Sequence, residues 1–537
     1  MIPNGKNDIQ GGLARLMFEP LRLLSFVVAA ALLPAAPAWS GQFDTLLRAP
    51  LNLAASAAVD PLSDPVEYQS HDGKLDVTLE ARRTLVRLGK TEINGATYDG
   101  VYGGPVLRVR PGDMLHVRLV NKLPQATNIH FHGMNVSPRS HGDNSMHMVK
   151  PGESWDYEIP IAKDHPPGVY WFHTHAHEAA ERQLMGGLSG TLVVEGFQDI
   201  MPATRPLKER LMALKEFSPD RSGDLNRVPK PYNLVIKTIN GQLMPRIDIQ
   251  PGESQLWRLS DQTANTYFRL TLEGHKFIVV GRDGQALVKP ETVSELMFGP
   301  SQRVDVVVTA SAAGAYRLVA EPTATGPVGD MFPAQDMALL VSAAEPGEPP
   351  PAPMGALVPS GAQSIPISDA RIDAQRLVVF SEDPVTALFF INHQTFDPKR
   401  IDIKVPLGSI EEWTIRNASE ELHVFHLHQV HFQVLSVNGR PLSFTGLVDT
   451  VNVPIHGEVK IRAAFTDPTI IGRFMYHCHI LEHEDKGMMA QMEVYDPKTG
   501  PLPDDDIAME MNGSSATAGN GRNTNSGNTD AAHAGHH

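Results

Sequence analysis

One short pattern, written three times along the chain, constrains the fold more than any other feature. It reads Pro111-Gly112-Asp113-Met114-Leu115-His116-Val117-Arg118-Leu119-Val120-Asn121 and then Pro251-Gly252-Glu253-Ser254-Gln255-Leu256-Trp257-Arg258-Leu259-Ser260-Asp261. A looser third copy runs Leu407-Gly408-Ser409-Ile410-Glu411-Glu412-Trp413-Thr414-Ile415-Arg416-Asn417. The copies stand roughly 150 residues apart, the size of one domain, so they mark the same place in three consecutive units. A second landmark closes each unit, a turn glycine leading into an aromatic strand: Gly168-Val169-Tyr170-Trp171-Phe172, Gly314-Ala315-Tyr316-Arg317-Leu318 and Gly472-Arg473-Phe474-Met475-Tyr476.

Between about Asp60 and Tyr495 short alternating segments are split by Gly and Pro turns, and helical periodicity is scarce. The expected fold class is all-β, three tandem β-sandwich domains over residues 60–197, 207–345 and 365–496, with seams in the Pro-rich connections around 197–207 and 345–365. Residues 497–537 turn acidic and then Gly/Ser/Asn-rich, a tail without the apolar content to cover its ordering entropy. Its closing histidines, His533, His536 and His537, are weak candidates for loose metal capture.

The net charge of -15 argues against nucleic-acid and anionic-membrane partners, which call for a basic face. Residues 1–40 read as a signal peptide: Arg15 and Arg22 precede an apolar run from Leu23 to Leu33, too short for a comfortable span, which ends in Pro34-Ala35-Ala36-Pro37-Ala38-Trp39-Ser40. The mature protein is therefore expected in a periplasmic or secreted location. Export makes the single cysteine, Cys478, a liability unless something occupies its thiol, and a bound metal would protect it.

Four histidine clusters fall at matching places in the first and third units. His130-Phe131-His132-Gly133 and His173-Thr174-His175 belong to the first, His423-Val424-Phe425-His426-Leu427-His428 and His477-Cys478-His479 to the third. The second unit has Thr266-Tyr267-Phe268-Arg269 and Tyr316-Arg317-Leu318 there and is expected to carry no such metal. On a strand, residues i and i+2 share a face, so each His-x-His pair aims two imidazoles to one side. One pair is weak evidence, since a strand histidine is more often simply half buried. Four pairs in pseudo-equivalent places predict eight imidazoles at a seam between the first and third units. Copper or zinc is satisfied by three or four ligands, so a cluster of two or three metals is implied.

The residue between the paired histidines separates the units. Thr174 cannot bind a soft metal and Cys478 can, so the third unit holds a further site on the opposite face of its strand. Cys478, His483 and His423 compose a trigonal His₂Cys plane, and Met488 supplies the long axial thioether of a blue-copper site. Zinc prefers a tetrahedral set with more thiolates.

With these motifs in place, residues 62–496 resemble a three-domain multicopper oxidase of the bacterial laccase type. The resemblance implies cupredoxin-like Greek-key sandwiches and four copper ions. By position it assigns one type 1 copper to His423, Cys478, His483 and Met488, and one type 2 copper to His130 and His426. Of two type 3 coppers, one takes His132, His173 and His479, the other His175, His428 and His477. It also implies O₂ and a small-molecule reducing substrate as partners of a monomeric enzyme: electrons enter near His483, pass from Cys478 to His477 and His479, and reduce O₂ to water. Val424 stands where such chains usually carry proline, and no twin-arginine pair precedes the apolar run, so copper loading after export is expected.

Proton delivery is expected from Glu484, which matches an acidic position implicated in it, and from Asp143; either can also be read as a solvated carboxylate. His177 and His431 continue the ligand faces but match no ligand of the family, His116 reads as structural, and Asp449 as either an orienting partner of a ligand histidine or a turn cap. Phenols and aromatic amines are the preferred reductants. Cu(I) or Mn(II) oxidation in copper tolerance is the alternative, although the 20 methionines form no dense insert. Two rivals remain, a non-catalytic copper-binding protein and a relative that has kept the three sandwiches and lost the copper, against which the complete set of ligand histidines, Cys478 and Met488 argues.

Overall fold

The computed structural model describes residues 58–89, 91–217, 235–344, 351–360 and 364–503. The expected signal segment and most of the expected tail lie outside these residues. Within them the chain is built of strands with a few short helices, and no helix is long and apolar enough to cross a membrane.

Three pairs of sheets follow one another along the sequence. The first pairs a four-stranded sheet, in the order Thr91–Tyr98, Lys74–Leu88, Met114–Asn121, Ser154–Pro160, with a five-stranded one, in the order Glu67–Gln69, Val106–Val109, Ser189–Val194, Gly168–His173, His130–His132. The second and third pairs each combine six strands with five. Alternation explains the strands: along Lys74–Leu88 the side chains of Leu75, Val77, Leu79 and Ala81 are buried while their neighbours face outward.

The repeated pattern forms the same strand each time. Met114–Asn121, Ser254–Asp261 and Ser409–Asn417 each pair in parallel with the long strand before them, Lys74–Leu88, Lys208–Phe217 and Ala374–Asp383. Gly112, Gly252 and Gly408 lead in at φ of 95°, 81° and 97°, a left-handed turn that a side chain disfavours. The indoles of Trp257 and Trp413 are fully buried in the cores of the second and third pairs.

The second landmark lies in the other sheet of each pair, beside the strand that carries the histidines. His130 pairs with His173 and His132 with Trp171; in the third pair Phe425 faces Cys478 and His426 faces His477. In the second pair the equivalent neighbours are Leu270 with Ala320 and Leu272 with Leu318, all apolar. The short helix Ala180–Gly186 joins the first sheet pair to the third: the Asp485 carboxylate accepts from the amides of Ala180 at 3.1 Å and Glu181 at 3.0 Å.

Candidate metal centre

Two donor clusters lie on opposite faces of one strand, Gly472–Cys478. Phe425 and Cys478 turn into the third core, so His423, on the same face as Phe425, turns with them. Cys478 Sγ lies 3.6 Å from Nδ1 of His423 and 3.6 Å from Nδ1 of His483, and those nitrogens are 3.1 Å apart. Each ring is fixed from behind. Ser419 Oγ sits 2.6 Å from His423 Nε2, Glu421 lies 3.5 Å from His483 Nε2, and Phe389 stacks on His483 at 4.0 Å. Met488 is buried in the same core, and its carbonyl accepts the Cys478 N–H at 3.1 Å. One cysteine sulfur, two imidazoles and a methionine from the same core form a soft set that suits copper better than zinc.

The opposite face meets the histidines of the first sheet pair. His130, His132, His173, His175, His426, His428, His477 and His479 are all fully buried. Within this group His130, His132 and His173 converge, as do His130, His426 and His428, and His175, His428 and His477. His479 joins His132 and His173, with ring centres 5.0 and 5.2 Å away. Thr174 points the other way, its hydroxyl donating to Gln183 at 2.7 Å.

The ring nitrogens test whether a metal fits. His130 Nδ1 engages Asp143 at 2.9 Å, His173 Nδ1 the carbonyl of Thr174 at 2.8 Å, and His426 Nδ1 the carbonyl of Asp449 at 2.8 Å. In all three the buried Nε2 has no hydrogen-bond partner, and both nitrogens of His479 are unpartnered. Orphaned nitrogens are costly in a buried seam, whereas neutral imidazoles oriented from behind are what a metal takes. Burial, reinforced by the neighbouring imidazoles, holds His130, His132, His426, His428 and His479 well below the usual histidine range. Burial brings His173 and His175 down to about 4. The donor set therefore fits several metal ions.

Both expected proton-delivery carboxylates are buried at this face rather than solvated. Asp143 accepts from Phe131 N at 2.9 Å and from Gln429 Nε2 at 2.5 Å, and burial pushes it up to about 8. Glu484 lies 3.0 Å from His477 Nδ1 and 3.5 Å from His175 Nε2. Burial raises its pKa, but those imidazoles outweigh the cost and bring it to about 2.

Asp449 engages His132 of the histidine cluster, and its partners include a residue the sequence did not single out. Its Oδ1 is 3.2 Å from His132 Nε2, leaving His132 Nδ1 free. Arg303, from the second sheet pair, donates to both Asp449 oxygens at 2.8 and 2.5 Å and to the carbonyl of Val169 at 3.3 Å. The apparently metal-free middle unit thus reaches the histidine seam, and the only sequence signal was a charge opening the apolar strand Arg303–Thr309. Gly133 is explained here too: at φ 78°, a Cβ on it would strike Asp449 Oδ2 and come within 2.5 Å of Arg303 Nη2. His431 belongs to the same group, 3.4 Å from Asp449 Oδ2. His116 is half-exposed beside Asp76, 3.0 Å away, and His177 packs against His175 and Phe396.

Known proteins resemble this chain in sequence and in fold. The multicopper oxidase family profiles match residues 81–199, 170–345 and 371–498. A multicopper oxidase of Staphylococcus aureus is 26% identical over 459 residues, spanning 81% of this chain and 91% of its own. The laccase of Bacillus subtilis is 25% identical over 508 residues, spanning 81% and 96%. The solved multicopper oxidase of Campylobacter jejuni, described as a metallo-oxidase, superposes with a TM-score of 0.71 at 29% identity, over 82% of this chain and 96% of that one. Three family matches lie along three cupredoxin-like sheet pairs, and the donors gather in a thiolate site and a histidine cluster; this chain belongs to the three-domain multicopper oxidase family, related to its bacterial laccase-like members.

Proposed function

We propose that this copper-dependent oxidoreductase couples one-electron oxidation of phenols and aromatic amines to the reduction of O₂ to water. The observation that carries the reading is the strand end His477-Cys478-His479, whose cysteine faces one donor cluster while its histidines face the other. When bound, copper supplies the one-electron chemistry that collects four reducing equivalents and delivers them to O₂.

His423, Cys478, His483 and Met488 hold the type 1 ion. His130 and His426 hold the type 2 ion, and His132, His173, His479 with His175, His428, His477 hold the two type 3 ions. The main chain of Cys478 runs directly into His477 and His479, so the covalent link between the sites has no gap. Glu484 and Asp143 pass protons to the histidine cluster, which their burial against His477, His175 and His130 supports. The enzyme works after export, in the periplasm or secreted, as a monomer. Its three domains span 60–197, 207–345 and 365–496.

A second reading, oxidation of Cu(I) or Mn(II), is favoured by the carboxylate of Glu421 beside His483 Nε2 and by the Campylobacter relative's description. The deciding experiment is a visible and spin-resonance spectrum of the copper-loaded protein, followed by oxygen uptake with a phenol, Cu(I) and Mn(II) in parallel. A strong blue band near about 600 nm is required of the His₂Cys site. A fully loaded protein without it refutes the assignment, and copper bound without oxygen uptake leaves a storage protein.

A further inference from the structure

Beside the histidine cluster lies a second group of soft donors that the reaction does not use. In the antiparallel pair Gly472–Cys478 and Met489–Tyr495, Met475 faces Gln491 and His477 faces Met489. Phe474, Tyr476, Cys478, Ala490 and Met492 fill the third core. Their alternating neighbours Met475, Met489 and Gln491 therefore project from the other face, the one His477 uses. There Met475 and Met489 pack against Met146, from a loop of the first sheet pair, with Phe396 alongside.

Thioethers alone would be gap-filling core, since methionine packs irregular spaces well. Two observations set this group apart. Gln491 is fully buried, and neither its amide nitrogen nor its amide oxygen has a hydrogen-bond partner. An unsatisfied carboxamide on a face shared with two methionines points to a ligand, because such a group left alone is expensive. Nearby, His177 stacks edge-on to Phe396 at 5.1 Å and presents a buried Nε2 that also lacks a partner. His177 and Phe396 are each partly exposed, whereas Met475 is fully buried, so the group runs from the surface to the flank of His477.

The geometry points to a monovalent-copper site formed by Met146, Met475 and Met489, with Gln491 and His177 as its polar neighbours, where Cu(I) is held beside the histidine cluster. Three thioethers select Cu(I) over Cu(II), Zn(II) or Mn(II), which prefer nitrogen and oxygen. No electron moves on binding; the cation exchanges its solvent ligands for sulfur. Placed between solvent and His477, the site lies on a loading path into the cluster.

Ag(I) is the probe, because it is soft and monovalent and does not cycle. The copper-loaded protein is incubated with Ag(I) in chloride-free buffer, desalted, and examined for metal content and by silver X-ray absorption. About one sulfur-bound Ag(I) per chain, with copper content unchanged, is expected. The near-isosteric variants Met475→Leu and Met489→Leu should retain less than about a tenth of it. No retained Ag(I), Ag(I) held only by nitrogen or oxygen, or equal retention by the leucine variants would each overturn the site and leave Gln491 to a water. Silver content is read independently of the blue band and of oxygen uptake, so loss of this site and loss of the oxidase reading are told apart.

Discussion

Glu484 and Asp143 are both buried carboxylates beside histidines of the buried cluster, yet their surroundings push them in opposite directions. Asp143 is surrounded by groups that favour its anion only partly against burial, and its carboxyl is raised to about 8. Glu484 faces two imidazoles and is brought to about 2. In the proton supply proposed above, a carboxyl that keeps its proton near neutrality and one that gives it up would be complementary parts. Glu484→Gln should therefore slow oxygen uptake by roughly 10²–10⁴-fold, the usual weight of a positioned proton-transfer group, while the blue absorption stays intact. Unchanged turnover would remove Glu484 from proton delivery. Asp143→Asn keeps a hydrogen-bonding oxygen toward Phe131 and His130, so copper content should hold while turnover falls; loss of copper with turnover would mark Asp143 as a positioning residue only.

At the level of strands and turns, two glycines with similar backbones have different reasons to be glycine. Gly408 turns at φ 97° and nothing lies within 4 Å of where its Cβ would stand. Gly408→Ala should cost only the left-handed strain of about 1 kcal/mol and leave copper binding untouched. Gly133, at φ 78°, would drive a Cβ into the Asp449–Arg303 pair, so Gly133→Ala should cost at least about 2 kcal/mol and lower the copper content as well. Thermal midpoints and metal analysis of the two variants check the contrast, and equal losses would contradict it. The same contrast shows what could be read from the sequence. Alternation and the recurring glycine turn announced the sheets, and the i, i+2 spacing placed His477 and His479 opposite Cys478, because these are local consequences of strand geometry. Asp449 and Arg303 stand 146 positions apart, and Asp143 and Gln429 stand 286 apart. Such contacts have no period to read, and so Arg303 went unnoticed while Asp449 stayed ambiguous between an orienting carboxylate and a turn cap.

Across the whole molecule, the middle sheet pair has the architecture of its neighbours and none of their histidine clusters, and its contribution is Arg303. That guanidinium is 1% exposed, lies over the Tyr170 ring of the first pair at 5.9 Å and grips Asp449 of the third. Three units therefore meet at one buried ion pair, and the carboxylate in that pair also fixes His132. Asp449 is held well below the usual carboxylate range, because Arg303 outweighs the cost of burial, while burial and the neighbouring Asp449 push Asp283, the other acid beside Arg303, upward. Removing one partner strands a buried charge, so Arg303→Met and Asp449→Asn should each destabilise the copper-free protein by about 3–5 kcal/mol. The double variant should be less damaged than the sum of the two, because neither group is then left uncompensated. Copper content separates stability from positioning. Asp449→Asn alone should lose metal from the histidine cluster while the site at Cys478 still fills, since none of its donors touches Asp449. Thermal midpoints of the copper-free proteins and metal content of the loaded ones test both halves. Strictly additive midpoint losses would reduce the pair to two independent packing contacts, and full copper occupancy in Asp449→Asn would show that His132 keeps its orientation without the middle unit.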